Sequence, residues 1–257
     1  MASEQDDKAR TRRYTLEIRR QDSLEKPETV RVEERVVDLD PKTSVLAALK
    51  LAEENAEGNE SPIAHDGECF EGVCGACTML VQGRVRLACT TSLASVADKR
   101  GAVRLAPLNK FPLIRDLVVD RSRISDGPRR LHLFEPSTAS SSAGGASQSA
   151  DQAALLARLD GCIQCGACLE ACPQYGDHSE FVGAHALHQL SVQNRKVGSE
   201  PGMATRLEAA MAPGGIQSCG QAQNCVEVCP VELPLADSLQ SVARQTTRHM
   251  IFGWLLG

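Results

Sequence analysis

Cysteine spacing constrains this chain more than any other feature of its sequence. The 257 residues contain eleven cysteines, and all of them fall into three short groups. Two of the groups are copies of one run, CxxCxxCxxxCP, and the second copy lacks a cysteine. Bacterial ferredoxins hold iron-sulfur clusters with this run. The spacing therefore predicts two neighbouring cluster sites that differ by one ligand.

The two copies can be compared position by position. The complete copy consists of Cys162, Cys165, Cys168, Cys172 and Pro173. The deficient copy consists of Cys219, Cys225, Cys229 and Pro230. Its second cysteine is replaced by Ala222.

The ligands of the two copies are expected to cross over, because in two-cluster ferredoxins the fourth cysteine of each run binds the other cluster. The complete set, expected to hold a cubane [4Fe-4S] cluster, is Cys162, Cys165, Cys168 and Cys229. The set of three is Cys172, Cys219 and Cys225. A corner without a thiolate holds its iron weakly, which predicts a [3Fe-4S] cluster with Ala222 facing the vacant corner. The alternative is a [4Fe-4S] cluster with water or hydroxide on its fourth iron.

The third group has a different spacing. Its members are Cys69, Cys74, Cys77 and Cys89, and the first three show the Cx4CxxC pattern of plant-type [2Fe-2S] sites. Gly72 and Gly75 lie between ligands, where a tight loop must turn its N–H groups toward sulfur. A hairpin of Thr78–Val81 and Val85–Leu87 is expected to return Cys89 to the cluster.

Other uses of these cysteines fit less well. Structural zinc favours two well-separated CxxC pairs, and these runs do not have that form. A disulfide framework suits a short secreted chain behind a signal peptide, whereas this sequence has 257 residues and begins MASEQDDKARTRR, which contains no apolar segment of the kind that a signal peptide needs. A Rieske centre needs histidine ligands, and no histidine is interleaved with the cysteines. His185 and His188 are interpreted as surface or packing residues of a helix.

Composition agrees with a soluble chain of two domains. No apolar run approaches the roughly eighteen residues of a membrane span. With 28 basic against 33 acidic residues and only 3% aromatic residues, the chain lacks a nucleic-acid-binding signature.

The predicted fold class is α+β. After a polar tail at residues 1–13, a β-grasp domain is expected over residues 14–109 and an all-α domain over 110–257, with a low-complexity insertion at 137–149. The expected strands of the first domain are Tyr14–Arg20 and Thr29–Leu39, followed by a capping stretch at Asp40–Ser44 and an amphipathic helix at Val45–Ala56. The expected helices of the second domain are Leu155–Leu159, Phe181–Leu190 and Thr205–Met211.

The sequence closely resembles the iron-sulfur subunit of succinate dehydrogenase and fumarate reductase, from about Tyr14 to the last helix. The resemblance depends on CFEGVCGACTMLVQGRVRLAC, PLNKFPLIRDLVVDRS, CIQCGACLEACP, GGIQSCGQAQNCVEVCP and the order of all eleven cysteines. It implies a plant-type [2Fe-2S] ferredoxin domain followed by a bacterial-ferredoxin-like domain that holds [4Fe-4S] and [3Fe-4S].

The resemblance also implies a role as an electron carrier without a dicarboxylate site of its own. A flavoprotein subunit with FAD would contact the β-grasp domain, and a membrane anchor cytochrome b subunit would lie near the [3Fe-4S] cluster. Electrons from succinate would pass through the three clusters to haem b and quinone. The subunit would be peripheral on the cytoplasmic face of a bacterial cell membrane. The reverse reaction, quinol:fumarate reduction, has similar subunits.

Two positions suggest a subtype. Ubiquinone-reducing members carry a tryptophan and a histidine of the quinone site where this chain has Asp177 and Gly220. The resemblance therefore favours the branch with one two-haem anchor and menaquinone. The C-terminal IFGWLLG is expected either to dock on the anchor or the lipid interface or to pack on the chain's own core. Two other classes remain, a soluble polyferredoxin and a zinc-bound interaction module.

Overall fold

The computed structural model of the protein describes residues 11–55, 61–134, 149–197 and 201–256. The chain forms two compact units, which divide between Arg121 and Ser122. The first unit is built on β-sheet and the second on helices. The expected order, a sheet domain followed by a helical domain, is therefore confirmed.

A mixed five-stranded sheet forms the first unit, with the strand order β2-β1-β5-β3-β4. Strand β1 runs antiparallel to β2 and parallel to β5, and β3 runs antiparallel to both β4 and β5. The strands are β1 Arg12–Arg20, β2 Arg31–Leu39, β3 Thr78–Val81, β4 Arg84–Leu87 and β5 Ala102–Ala106. A separate hairpin consists of β6 Leu113–Arg115 and β7 Val118–Val119.

The core of this unit lies between the sheet and helix α1, Val45–Glu54. Alternate residues of a strand point to one face, and in β1 those residues are Tyr14, Leu16 and Ile18, all fully buried. The Ser44 hydroxyl caps α1 by accepting a hydrogen bond of 3.2 Å from the backbone N–H of Ala47. The expected capping stretch and helix are thus present. A short helix, α2, spans Leu93–Val96.

The first unit extends to Arg121, beyond the boundary expected at residue 109, because the β6–β7 hairpin belongs to it. The backbone N–H of Asp116 donates to the Gln21 carbonyl over 2.8 Å, and that of Leu117 donates to the Ala64 carbonyl over 3.0 Å. Strand β1 begins at Arg12, within the expected tail.

The second unit contains all of the remaining described helices. They are α3 Asp126–Arg130, α4 Ala150–Leu159, α5 Ala167–Glu170, α6 Gly183–Val197, α7 Pro201–Met211, α8 Asn224–Glu227 and α9 Leu235–Leu256. The three helices expected from the sequence correspond to α4, α6 and α7, with shifted ends. In the described part of the chain, no helix has the length and apolar character needed to cross a membrane.

Buried polar contacts join the longer helices. Asn194 of α6 accepts a hydrogen bond from Arg206 of α7 over 3.0 Å and donates one to Gln245 of α9 over 2.9 Å. Since buried polar groups cost free energy unless they are paired, these contacts fix how the three helices align.

Two expectations fall partly outside the described residues. Of the expected insertion at 137–149, only Ser149 is described. Helix α9 includes most of the C-terminal apolar segment, and Ile251 and Phe252 are 48% and 50% exposed. The side chains of residues 253–257 lie outside the described part.

Candidate iron-sulfur centres

The β3–β4 hairpin brings Cys77 and Cys89 together, as its spacing predicts. Strand β3 begins immediately after Cys77, and the pairing of Thr78 with Leu87 places Cys89 beside it. The backbone N–H of Cys89 donates to the Cys77 sulfur over 3.4 Å, and both residues are buried. Burial, followed by the neighbouring Cys77 and Cys69, raises the pKa of Cys89 to about 12.

Cys69, in the same loop, has an environment that lowers its pKa, in contrast to that of Cys89. The backbone N–H of Glu71 donates to its sulfur over 3.4 Å. This contact, the Cys74 thiol and the N–H groups of Val73 and Cys74 lower the pKa of Cys69 to about 6. The mutual influence of Cys69 with Cys74, and of Cys89 with Cys77 and Cys69, indicates that the four sulfurs lie together.

Two glycines allow the loop to turn tightly between these sulfurs. Gly72 and Gly75 have φ angles of 75° and 72°, in the left-handed region that favours glycine. A Cβ atom on Gly72 would lie 2.9 Å from a methyl carbon of Thr90. The expected need for glycine at these two positions is confirmed.

Sequence reasoning missed Arg121, which holds the same loop from the far end of the unit. Its guanidinium donates to the carbonyls of Gly75, Ala76 and Thr78 over 2.8, 2.6 and 3.0 Å. These carbonyls flank Cys77, so Arg121 fixes the backbone that presents this sulfur. The contact joins residues more than forty positions apart, and no local pattern predicts it.

The two ferredoxin-like runs adopt the same local structure in the second unit. Gly166 and Gln223 both have left-handed backbones, and each is followed by a four-residue helix, α5 or α8. Cys168 and Cys225 each occupy the second position of that helix. The sequence repeat is therefore also a structural repeat, and the deficient copy keeps the local fold of the complete one.

The four sulfurs of the expected [4Fe-4S] set line one cavity. Cys162, Cys165 and Cys168 come from the first run and Cys229 from the second. Burial raises the pKa of Cys168 well above its ordinary value, and the nearby Cys165, Cys162, Cys225 and Cys229 raise it further. A cavity with four thiols in its wall has the donor chemistry that a cubane cluster requires.

The three cysteines of the other expected set also influence one another. Burial raises the pKa of Cys225, and Cys172 and then Cys219 are the next largest causes. These two come from different runs, so the structure brings together the sulfurs that the crossed pattern groups. Ala222 is exposed, and its orientation toward the vacant corner stays a prediction.

The expectation of a subtype depends on Asp177 and Gly220, whose surroundings the structure describes. Asp177 forms an ion pair with Arg123, whose guanidinium carbon also lies 5.3 Å from the centre of the Tyr175 ring. A Cβ atom on Gly220 would lie 2.9 Å from the side-chain nitrogen of Gln174. A larger residue at 220 would therefore have to displace that glutamine.

Of the two roles expected for His185 and His188, surface or packing residues of a helix, the structure shows the second. Both lie in α6, are 5% and 0% exposed, and line the cavity of the four sulfurs. Among the described residues, no group of three or more His, Cys, Asp and Glu side chains is arranged so that it could hold a single metal ion.

Family comparisons match the two units separately. Residues 15–126 match the family described as 2Fe-2S iron-sulfur cluster binding domain. Residues 158–233 match the family described as 4Fe-4S dicluster domain. The two matches together account for the regions of all eleven cysteines.

Two curated relatives match most of the chain. The succinate dehydrogenase iron-sulfur subunit of Bacillus subtilis is 34% identical over 234 residues, which cover 89% of this chain and 90% of that protein. The fumarate reductase iron-sulfur subunit of Haemophilus influenzae is 28% identical, with 85% and 88% covered.

A solved structure has the same fold. A chain of the Mycobacterium smegmatis Sdh1 complex in the apo form aligns with a TM-score of 0.77 at 21% identity. The alignment covers 93% of this chain and 97% of that one, so the order of the two units is shared.

Proposed function

This chain belongs to the family of iron-sulfur subunits of succinate dehydrogenase and fumarate reductase, and from that premise we propose the course that electrons take through it. They enter from the FAD of a flavoprotein subunit. They pass [2Fe-2S], [4Fe-4S] and [3Fe-4S] in turn and leave to the haem and quinone of a membrane anchor. The favoured direction is succinate oxidation.

The observation that carries this proposal is the composition of the cavity in the second unit. Its four sulfurs come from both runs, since Cys229 joins Cys162, Cys165 and Cys168. The remaining sulfurs, Cys172, Cys219 and Cys225, then form a set of three. One set of four beside one set of three is the ligand supply that a [4Fe-4S] and a [3Fe-4S] cluster require.

When bound, the clusters would supply one-electron transfer, and the chain would set their environment. Backbone N–H groups of Glu71, Cys89 and Leu233 donate to the sulfurs of Cys69, Cys77 and Cys229 over 3.4, 3.4 and 3.3 Å. Such donors stabilise additional negative charge on sulfur. In the second unit, the cavity of the four sulfurs is also lined by apolar side chains, which keep water from it; they belong to Ile163, Val231, Leu233 and Leu235.

The surface of the [2Fe-2S] loop supports contact with a flavoprotein at the first unit. Cys74 is exposed, whereas Cys77 and Cys89 are buried. Phe70 and Val73 in the same loop are 38% and 60% exposed. Exposed apolar side chains beside a redox centre favour a partner surface, because an electron acceptor must lie close to its donor.

The anchor subunit would lie on the side of Cys172, Cys219 and Cys225. Asp177, which pairs with Arg123, and Gly220, which lies close to Gln174, stand at the sequence positions of the quinone-site tryptophan and histidine of ubiquinone-reducing members. This supports haem b as the next electron acceptor and menaquinone as the quinone. This subunit would be peripheral on the cytoplasmic face of a bacterial cell membrane, held there by the anchor subunit.

Fumarate reduction is the second candidate, supported by the match to the Haemophilus influenzae fumarate reductase subunit. Succinate oxidation is preferred because the Bacillus subtilis relative has the higher identity, 34% against 28%. A soluble polyferredoxin is the third candidate, and it would purify without partner subunits.

Purification of the native complex tests the proposal. We expect covalent flavin, haem b, menaquinone and about nine irons per chain. A monomeric protein without flavin would favour the polyferredoxin, and absence of haem would refute the two-haem anchor. Faster turnover with quinol and fumarate than with succinate and quinone would show that fumarate reduction is the favoured direction.

A further inference from the structure

His185 is a buried histidine whose ring has no adequate protein partner. It lies in the first turn of α6 and is 5% exposed. Neither ring nitrogen forms a hydrogen bond of normal geometry with a described residue. The Ile124 backbone lies close enough to the ring to raise its pKa slightly, as the smallest of three effects, but the contact falls short of normal hydrogen-bond geometry.

Such a group calls for an explanation, because burial removes its water and leaves a donor or acceptor unpaired. The His185 ring could reach solvent only if helix α6 shifted, and close packing of the backbone at the start of α6 prevents that shift. Helix α6 begins at Gly183, where a Cβ atom would lie 2.3 Å from Leu169. On the opposite side, a Cβ atom on Gly127 would lie 2.4 Å from the Val182 carbonyl and 2.7 Å from the Cβ of Ala186. The start of α6 is thus tightly held.

The cavity beside His185 is the one lined by Cys162, Cys165, Cys168 and Cys229. The rest of its wall includes the apolar Ile163, Val231 and Leu233. Gln164 also lines the cavity, but neither nitrogen of the His185 ring forms a hydrogen bond with it. The group expected to fill this space carries sulfur atoms that accept hydrogen bonds. A cluster would therefore supply the partner that the protein does not.

His188 lines the same cavity and provides an internal comparison. Its Nε2 donates to the Leu159 carbonyl over 2.8 Å, and its Nδ1 accepts from the Ser238 hydroxyl over 2.9 Å. Both nitrogens of His188 are used within the protein, one helical turn from His185. The unpaired state of His185 is therefore specific to its position.

Burial in the cavity wall favours the neutral form of the His185 ring. Burial, with a smaller contribution from His188, lowers the pKa of His185 to about 4. A neutral imidazole has one N–H donor and one acceptor. His185 can thus offer a hydrogen bond without bringing a full charge into the cavity.

We propose that His185 is a hydrogen-bond donor to the [4Fe-4S] centre and raises the reduction potential of that centre. The inference rests on the proposed function, because it needs a cluster in this cavity. Cys162, Cys165, Cys168 and Cys229 already make four ligands, so His185 acts on the sulfur of the cluster and not as an iron ligand. Reduction adds negative charge, and a donor stabilises the reduced form more than the oxidised one.

The test compares His185→Leu with His185→Gln in the purified complex, and measures the potential of each cluster by EPR-monitored redox titration. In His185→Leu we expect the equilibrium constant for reduction of [4Fe-4S] to fall about tenfold, which is about 59 mV for one electron. His185→Gln keeps an N–H donor and should restore at least half of that shift. The potentials of [2Fe-2S] and [3Fe-4S] should not change.

His188→Gln is the matched control, since it alters the same cavity wall at a residue with no free donor. It should leave the [4Fe-4S] potential unchanged. An equal shift in His188→Gln and His185→Leu would overturn the proposal, and so would an unchanged potential in His185→Leu.

A measurement on the unaltered complex keeps the test decisive if His185→Leu loses its cluster. With 15N-labelled histidine, pulsed EPR of the reduced [4Fe-4S] centre should detect a histidine nitrogen that disappears in His185→Gln and persists in His188→Gln. Absence of that nitrogen would overturn the inference. Absence of any [4Fe-4S] signal in the unaltered complex would instead refute the proposed function.

Discussion

Arg20 and Asp116 form an ion pair in which both side chains are fully buried, with 2.9 Å between Nη2 and Oδ2. The pair joins the end of β1 to the β6–β7 hairpin. Arg20 also donates to Glu33 over 2.7 Å and to the carbonyls of Ser61 and Pro62. Asp116 accepts further hydrogen bonds from the backbone N–H groups of Gln21 and Ala64.

Replacing Asp116 with asparagine should destabilise the protein by about 3 kcal/mol, because it removes one partner of a buried pair. The loss lies at the low end of the usual range since Glu33 still neutralises Arg20. The unfolding free energy from urea denaturation, followed by circular dichroism, measures the effect. Asp38→Asn is the control, because Asp38 pairs with Arg13 on the surface and should change little. Equal effects of the two substitutions would contradict the role of the buried pair.

The same aspartate should contribute to stability in a pH-dependent manner. Burial alone would raise the pKa of Asp116, but the hydrogen bonds from Arg20 and from the Ala64 and Gln21 backbones outweigh it and lower the pKa. A carboxyl group whose pKa is lowered in the folded state stabilises that state above its unfolded pKa of about 3.9, and this contribution is lost as the pH falls through the folded pKa. The difference in unfolding free energy between the unaltered protein and Asp116→Asn should therefore be constant near neutral pH and shrink below about pH 3.9. A difference that grows on acidification would contradict this sign.

Arg121→Met should lower the potential of the [2Fe-2S] centre. The substitution removes a positive charge and three hydrogen bonds from the backbone around Cys77, and a positive charge near the centre favours its reduced form. We expect a shift of about 59 mV, a tenfold change in the reduction equilibrium, in EPR-monitored titration. Arg84→Met alters an exposed arginine at the far end of the β3–β4 hairpin and should leave this potential unchanged. The prediction fails if both variants shift the potential alike.

Substitutions at the fourth cysteine of each run should affect the cluster of the other run. Cys229→Ser should diminish the [4Fe-4S] signal, although the other cysteines of its run, Cys219 and Cys225, belong to the set of three. Cys172→Ser should diminish the [3Fe-4S] signal. EPR of each variant in the oxidised and reduced states distinguishes the two clusters. The uncrossed pattern predicts the opposite assignment, so either result decides between them.

Ala222→Cys should restore the missing ligand and convert [3Fe-4S] to [4Fe-4S]. Iron content should rise by about one per chain, and the EPR signal of the oxidised [3Fe-4S] centre should disappear. Ala222→Ser is the control, since a hydroxyl is a poor ligand for this iron. Unchanged spectra in Ala222→Cys would show that residue 222 does not face the vacant corner.

Local sequence patterns predicted those features that are determined locally. Strand β3 is found at the expected residues, Thr78–Val81, and it ends at the expected turn, where Gln82 and Gly83 both have positive φ angles. Ser44 caps α1 as expected. The assignment of the eleven cysteines to three clusters was inferred from ligand spacing and stays a prediction.

Features that depend on distant residues were not predicted. Arg121 contacts carbonyls far from it in sequence, and the burial of Asp116 requires Arg20 from the opposite end of the unit. His185 was interpreted as a packing or surface residue because its position beside the cysteines results from the packing of α6. The length of α9 was not predicted because polar residues such as Arg244 and Arg248 interrupt the apolar pattern of its sequence.

The crossing of the two runs has a consequence for how the protein is made. The loop of the first unit holds all of its cysteines once Cys89 has been synthesised. If the ligands cross as proposed, the set that begins at Cys162 stays one thiolate short until Cys229 has been synthesised. The machinery that delivers iron and sulfide could then load the first unit once Cys89 is available, whereas the complete set of the second unit would have to wait for Cys229. Termination between Cys225 and Cys229 would leave the [2Fe-2S] set and the set of three complete, but the set that begins at Cys162 would lack its fourth thiolate.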